Sequence, residues 1–152
     1  MIIAGSPDNE LERLKLLEDY RILDTPPEPV LDSIAELAAY SCNTPVALIS
    51  LIESGRVWFK SKVGMPEPAE VSRDLAFCSH AILQHGVMEV SDTTADPRFF
   101  DNPLVIESGL RFYAGVPLVT REGCALGTLC VIDRKPRALK DHEKGALRNL
   151  AS

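Results

Sequence analysis

Pro45-Val46-Ala47-Leu48-Ile49-Ser50-Leu51-Ile52 is nearly continuous in apolar, branched residues, and Glu53-Ser54-Gly55 separates it from Arg56-Val57-Trp58-Phe59-Lys60-Ser61-Lys62-Val63. A short apolar run closed by a turn predicts a central strand covered on both faces. The second run predicts its hairpin partner. Side chains alternate along a strand, so Trp58 and Phe59 point to opposite faces. One is expected in the core, the other on a cavity or an interface.

Two further strands are predicted toward the C-terminus, Phe112 to Val119 and Leu126 to Asp133, joined by Arg121-Glu122-Gly123. Pro117 cannot donate to a ladder, which places a bulge or a sheet edge there. Val87 to Val90 predicts a short strand, and Leu75 to Gln84 a short helix. Residues 91–109 are punctuated by Asp92, Asp96-Pro97, Asp101-Asn102-Pro103 and Gly109, with room for a helical turn near Leu104 to Glu107. Loops of this length inside a compact domain are uncommon and often functional.

Toward the N-terminus, Leu11, Leu14 and Leu17 recur every three residues, predicting a helix from Pro7 to about Leu23 with Asp8 or Asn9 as its cap. Asp24-Thr25-Pro26-Pro27 should end it. A second helix is predicted from Glu28 to Tyr40, and a last one from Lys140 onward. The order α α β β α β (irregular) β β α gives an α+β fold: a mostly antiparallel sheet of five, or at most six, strands flanked by helices.

The chain has 152 residues, 45% apolar and 25% charged, which bounds it to one domain. Its net charge of −6 argues against nonspecific binding to nucleic acid or an anionic membrane. No apolar run approaches the ~20 residues of a membrane span. Met1 to Ser6 lacks a basic start and a long apolar stretch, so no secretory signal is expected and the compartment is read as cytoplasmic. Cys42, Cys78, Cys124 and Cys130 form no C-x-x-C pair and read as reduced thiols. Residues 8–32 carry eight acids against three bases, and residues 134–148 six bases against two acids. Such ends suit two segments lying side by side, within the chain or across a dimer.

Taken in order, the stretches Pro45 to Ile52, Arg56-Val57-Trp58-Phe59-Lys60, Phe77-Cys78-Ser79-His80-Ala81-Ile82, Asp96-Pro97-Arg98-Phe99, Phe112 to Leu118 and Leu126 to Asp133 resemble the GAF family of sensory domains. The likeness is greatest to GAF domains that precede the output modules of bacterial sensor histidine kinases and diguanylate cyclases. It implies a small-molecule cavity on one sheet face and a helical layer on the other. It also implies a homodimer formed through the terminal helices and a downstream effector domain in the same parent chain. On this reading, residues 1–152 are a single sensory domain. Residues 1–24 hold its N-terminal helix, and residues 140–152 begin a signalling helix that continues into a longer protein.

The family's cyclic-nucleotide signature, Asn-Lys…Phe…Asp-Glu, is absent. Bilin-binding members place His directly after Cys, whereas here Ser79 intervenes between Cys78 and His80, too early in the domain. His85 and His142 are isolated, so no metal site has ligand spacing. No bilin, haem or metal is expected, and the small molecule is not identified. The residues expected around the cavity are Trp58, Phe77, Cys78, His80, Asp92, Phe99, Arg111 and Tyr113. Arg111 and Tyr113 share a strand face, where Arg111 offers a fork for a carboxylate or phosphate. The bland alternative is that Arg111 pins the long loop by pairing with Asp92, Asp96 or Asp101. Cys78 and His80 would point about 200° apart on a helix. No catalytic triad, carboxylate pair or phosphate-binding glycine loop is visible, so the domain is read as non-catalytic. The expected function is small-molecule sensing and dimerisation within a bacterial signalling protein, a sensor histidine kinase or a cyclic di-GMP enzyme. The alternatives are a dimerising spacer with a self-filled cavity and, behind it, a thiol reductase or bilin carrier.

Overall fold

The computed structural model describes residues 1–65 and 67–151. Pro66, read in the sequence as part of the break after the hairpin, and Ser152, read as part of the last helix, lie outside the described residues. The elements run α1 (Glu10–Tyr20), α2 (Pro29–Cys42), β1 (Val46–Ile52), β2 (Arg56–Val63), β3 (Glu70–Ser72), α3 (Cys78–Ala81), β4 (Met88–Val90), α4 (Pro103–Ile106), β5 (Phe112–Val119), β6 (Ala125–Asp133) and α5 (Asp141–Ala151). Six strands form one antiparallel sheet in the order β3-β2-β1-β6-β5-β4.

Every residue of β1 is buried, as its composition predicts for a strand covered on both faces. Val46, Leu48 and Ile52 face one core with Cys130, Ile132 and Tyr113. Ala47 and Ile49 face the other with Phe112, Ala114, Leu129 and Val131. On that second face α2 lies close because Ala35, Ala38, Ala39 and Cys42 present little bulk. Arg137 joins its C-terminus to the sheet, donating to the Asn43 carbonyl at 2.6 Å and the Cys42 carbonyl at 2.7 Å. These are carbonyls that the end of a helix leaves unsatisfied.

Opposite Ile49 and Ser50, β2 carries an extra residue: Ser61 pairs with Ile49, Phe59 with Ser50, and Lys60 is bulged out. On the turn side of the bulge the register is unbroken: Phe59 pairs with Ser50 and shares its face, and Trp58, opposite Leu51, packs against the cluster of Leu17, Leu51, Cys124 and Leu126. Lys60 turns to the helix side, where it meets Glu28 at 2.8 Å and the Pro26 carbonyl at 2.6 Å.

Several expectations are corrected. The helix predicted over 75–84 is one turn, Cys78–Ala81, because the i→i+3 bonds from His80 to Phe77 and from Leu83 to His80 wind the rest more tightly. A sixth strand, β3, adds a short edge beside β2. α1 ends at Arg21, in the left-handed region at φ 51°, before the Pro26-Pro27 stop is reached. Asn9 occupies the cap position, but its amide donates to the Gly123 carbonyl at 3.3 Å instead of capping. The acidic segment takes its cations from the hairpin and the turn after β3, with Asp24 on Arg56 and Glu10 on Arg73. In the basic segment Arg137 pairs with Asp133. Within the chain, these charges of the two ends thus take nearer partners than each other. Pro117 lies beyond Gly115, the last β5 residue paired with β4, so it does sit at a sheet edge.

A buried charge cluster ties α1 to the sheet. Arg13 is fully buried, and its guanidinium donates to the Ile52 carbonyl and to Glu10, the latter at 2.8 Å. Arg73 meets the same carboxylate at 2.9 Å and donates to the Glu53 carbonyl at 3.0 Å. Burial opposes ionisation of Glu10, but hydrogen bonds and charge from Arg73 and Arg13 outweigh it and hold the carboxyl below its ordinary value of 4.5. A carboxyl whose folded pKa lies below its unfolded one stabilises the fold above the unfolded value. That stability is lost as pH falls through the folded value. The urea midpoint is therefore expected to drop as pH falls below the ordinary carboxyl value of 4.5. Glu10→Gln should be less stable at neutral pH and should show a shallower fall over this range; an unchanged slope would contradict the assignment.

Candidate functional site

Between the sheet and the segment that crosses it from β3 to β5 lies a cavity of about 130 Å³. Its floor is Leu48, Ser50, Cys130, Ile132 and Tyr113, alternate residues of the central strands. Phe59 and Val71 form a side wall, and Ala76, Phe77, Cys78, Leu104 and Leu110 form the roof. Glu67, Pro68, Ser108 and Arg134 are exposed and mark the mouth.

The strand register concentrates polar atoms at one part of the floor. Ser50 is opposite Thr128, and Cys130 is opposite both Leu48 and Gly115. The Tyr113 ring lies over Gly115, so closely that a Cβ there would sit 2.4 Å from the phenolic oxygen. Glycine at this position is what lets the tyrosine lie flat and deliver its hydroxyl toward Thr128 and Cys130. The hydroxyls of Ser50, Tyr113 and Thr128 are buried beside the Cys130 thiol, and none makes a hydrogen bond of good geometry among the described residues. A buried polar group left unpaired costs about 1–3 kcal/mol.

Burial holds the thiols here in their protonated form. Burial pushes the Cys130 thiol up to about 12, against a smaller opposing pull from Ser50, Tyr113 and Thr128. Burial raises Cys78 further still, with Cys130 beside it adding to the effect. Thiolate is the reactive form, and both groups stay protonated at neutral pH. An aromatic disulfide reagent is expected to leave all four buried cysteines unlabelled in the native chain and to titrate all four after unfolding. Rapid native labelling of Cys78 or Cys130 would revive the reductase reading.

Of the residues expected around the cavity, Phe77, Cys78 and Tyr113 line it. Phe99 stands behind Phe77, with ring centroids 4.4 Å apart. The other four lie elsewhere. Trp58 is on the opposite sheet face, paired with Leu51 in the register that the hairpin turn sets. His80 projects away from Cys78, as helical geometry requires, and its ring meets the Ile2 carbonyl at 3.0 Å. Burial holds its pKa below the ordinary imidazole value. Asp92 caps the 3₁₀ turn Thr93–Ala95, accepting from the Thr94 amide at 3.0 Å. Arg111 does pin the loop, but through carbonyls rather than an acid: it donates to Val105 at 2.8 Å and Leu110 at 3.0 Å. Both bonds come from Nη1, and the side chain does not line the cavity. Leu48, Ser50 and Phe59 also line the cavity, outside the set expected from the sequence, with Thr128 beside Ser50. Ser50 and Thr128 carried a signal, since each is a lone hydroxyl at a buried position of an otherwise apolar strand.

Among the described residues, no cluster of His, Cys, Asp or Glu could hold a metal, and no helix is long and apolar enough to cross a membrane.

A covered antiparallel sheet with a hollow under its crossing segment is the architecture of a family of regulatory domains. Residues 26–152 match the GAF domain family, and the chain belongs to it. It is 42% identical over 147 residues to a cyclic di-GMP phosphodiesterase of Pseudomonas aeruginosa, covering 95% of this chain and 25% of that protein. The fold resembles the GAF domain of an Acinetobacter phosphoenolpyruvate-protein phosphotransferase, with TM-score 0.64, 19% identity, 93% of this chain and 87% of that one covered. It also resembles a free methionine-R-sulfoxide reductase from Thermoplasma acidophilum, with TM-score 0.66, 14% identity and 90% of each chain covered. At these identities the two structures speak for the fold alone.

Proposed function

We propose that this chain is the sensory domain of a bacterial enzyme of cyclic di-GMP turnover, a phosphodiesterase, and that a small molecule in the cavity sets that enzyme's activity. The observation that carries the reading is the likeness to the Pseudomonas phosphodiesterase, which runs along 95% of this chain yet spans a quarter of that protein. The remaining length leaves room for catalysis in other domains. This favours cyclic di-GMP hydrolysis over a histidine kinase or a diguanylate cyclase as the output.

A ligand shifts an equilibrium only by its difference in affinity for the two states. The contacts that would carry that difference outward start in the roof of the cavity. Ser79, next to Cys78, donates to the Arg73 carbonyl at 2.7 Å, and the Arg73 side chain grips Glu10 on α1. A ligand that moves Phe77 and Cys78 thus pulls on the first helix. The outer face of α2 exposes Val30, Leu37 and Tyr40, and a second copy of the chain packing there would complete the homodimer. The same exposed face suits the dimerising-spacer alternative, but the open volume above the floor favours a receptor.

The test uses the full-length protein that carries this domain. Ala76→Met fills the roof of the cavity. Its expected effect is a several-fold change in kcat for cyclic di-GMP hydrolysis with KM unchanged. A full-length protein that hydrolyses no cyclic di-GMP, or one indifferent to the filled cavity, would overturn the reading.

A further inference from the structure

We infer that the cavity takes a compact, uncharged ring compound, about the size of benzene, bearing one hydroxyl-like substituent that faces Ser50 and Tyr113. The inference rests on the receptor reading above and adds the class of ligand to it.

Size comes first. A volume of about 130 Å³ is close to that of cavities that admit benzene, and far too small for a nucleotide. Charge comes second. The charged groups at the cavity, Glu67 and Arg134, are exposed at its mouth. Arg111 does not line the cavity, and its Nη1 is turned to the Val105 and Leu110 carbonyls, so the floor offers no cation. An anion buried there would lose its hydration without a partner. Shape comes third. Phe77 and Tyr113 meet edge to face at 5.5 Å and 85°, and Leu48, Phe59 and Ile132 complete an apolar enclosure suited to a ring.

The polar requirement is set by the orphaned hydroxyls. Ser50 and Tyr113 line the cavity, each nearly fully buried, with Thr128 beside Ser50 across the β1–β6 register. A hydroxyl both donates and accepts. A ligand hydroxyl can therefore accept from one of these residues and donate to the other in the same pose. A plain hydrocarbon leaves both unpaired, and a carboxylate can only accept.

The experiment titrates this chain with phenol, benzene and benzoate while its amide resonances are followed by NMR. Phenol is expected to shift the resonances of Ser50, Tyr113 and Cys130 and to bind about tenfold more tightly than benzene, the worth of one buried hydrogen bond. Benzoate should bind more weakly than either. Tyr113→Phe and Ser50→Ala should each weaken phenol about tenfold and leave benzene within about twofold. Should Tyr113→Phe fail to fold, Ser50→Ala alone carries the comparison. Equal binding of phenol and benzene, or benzoate matching phenol, would overturn the inference while leaving the cavity a receptor. Exclusion of both phenol and benzene would overturn the inference and the receptor reading together.

Discussion

Arg13→Met is expected to destabilise the fold by about 3 kcal/mol, because removing one member of a buried ion pair strands the other. Arg13 is 0% exposed, and its guanidinium holds the Ile52 carbonyl and the Glu10 carboxylate. Methionine keeps most of the volume but donates nothing. The Ile52 carbonyl then loses its side-chain donor, and Glu10 is left to Arg73 alone. The double variant Arg13→Met/Glu10→Gln should cost less than the sum of the two single losses, since the interaction between the two residues is lost only once. Urea denaturation of the four proteins gives the coupling. A single-variant loss below about 1 kcal/mol would mean that the cluster behaves like a surface pair, worth no more than this.

The second large effect is expected at Gly127. It lies where β6 passes β1, and a Cβ there would sit 1.8 Å from the Ser50 carbonyl oxygen and 2.8 Å from its carbon. The obstruction is backbone in the centre of the sheet, so it cannot rotate away. Gly127→Ala should cost roughly 3 kcal/mol or more, at the upper end of overpacking effects. It should also disturb Ser50 and hence the polar floor. Gly145, in α5, has nothing within 4 Å of its Cβ position. Gly145→Ala should instead stabilise the chain by roughly 0.5–1 kcal/mol, through helix propensity and a less flexible unfolded state. Equal urea midpoints for the two variants would contradict the close approach of β1 and β6.

The strands announced themselves because apolar runs such as Val46 to Ile52 and Leu126 to Ile132 are long enough to outweigh competing signals. The two outer strands were harder. β4 is three residues long and was marked by Met88 and Val90, but β3, Glu70-Val71-Ser72, has no apolar pattern to read. The helix around Cys78 was overextended because Phe77, Cys78, Ala81 and Ile82 suit the core equally well in a tight turn.

The site was legible only in part, and for one physical reason. Alternation puts Trp58 and Phe59 on opposite faces, but which of them meets the cavity depends on the register the turn sets against β1, with Phe59 on Ser50 and Trp58 on Leu51. Phe59 therefore lines the cavity, and Trp58, the most conspicuous residue of the hairpin, does not. Arg111 and Asp92 were drawn in by their chemistry, yet each is used locally, on carbonyls and on a turn. Distances between segments far apart in sequence decided the rest. Nothing in the spacing of Ser50, Tyr113 and Thr128 says that three buried hydroxyls come together beside Cys130.

The most direct test of the central claim, an accessible hollow between the sheet and the segment above it, is a crystal of this chain held under xenon. Xenon occupies apolar cavities of this size without needing any specific contact. The account predicts one strong xenon position bounded by Leu48, Phe77, Tyr113 and Cys130. Density showing those side chains packed together with no xenon between them would contradict it.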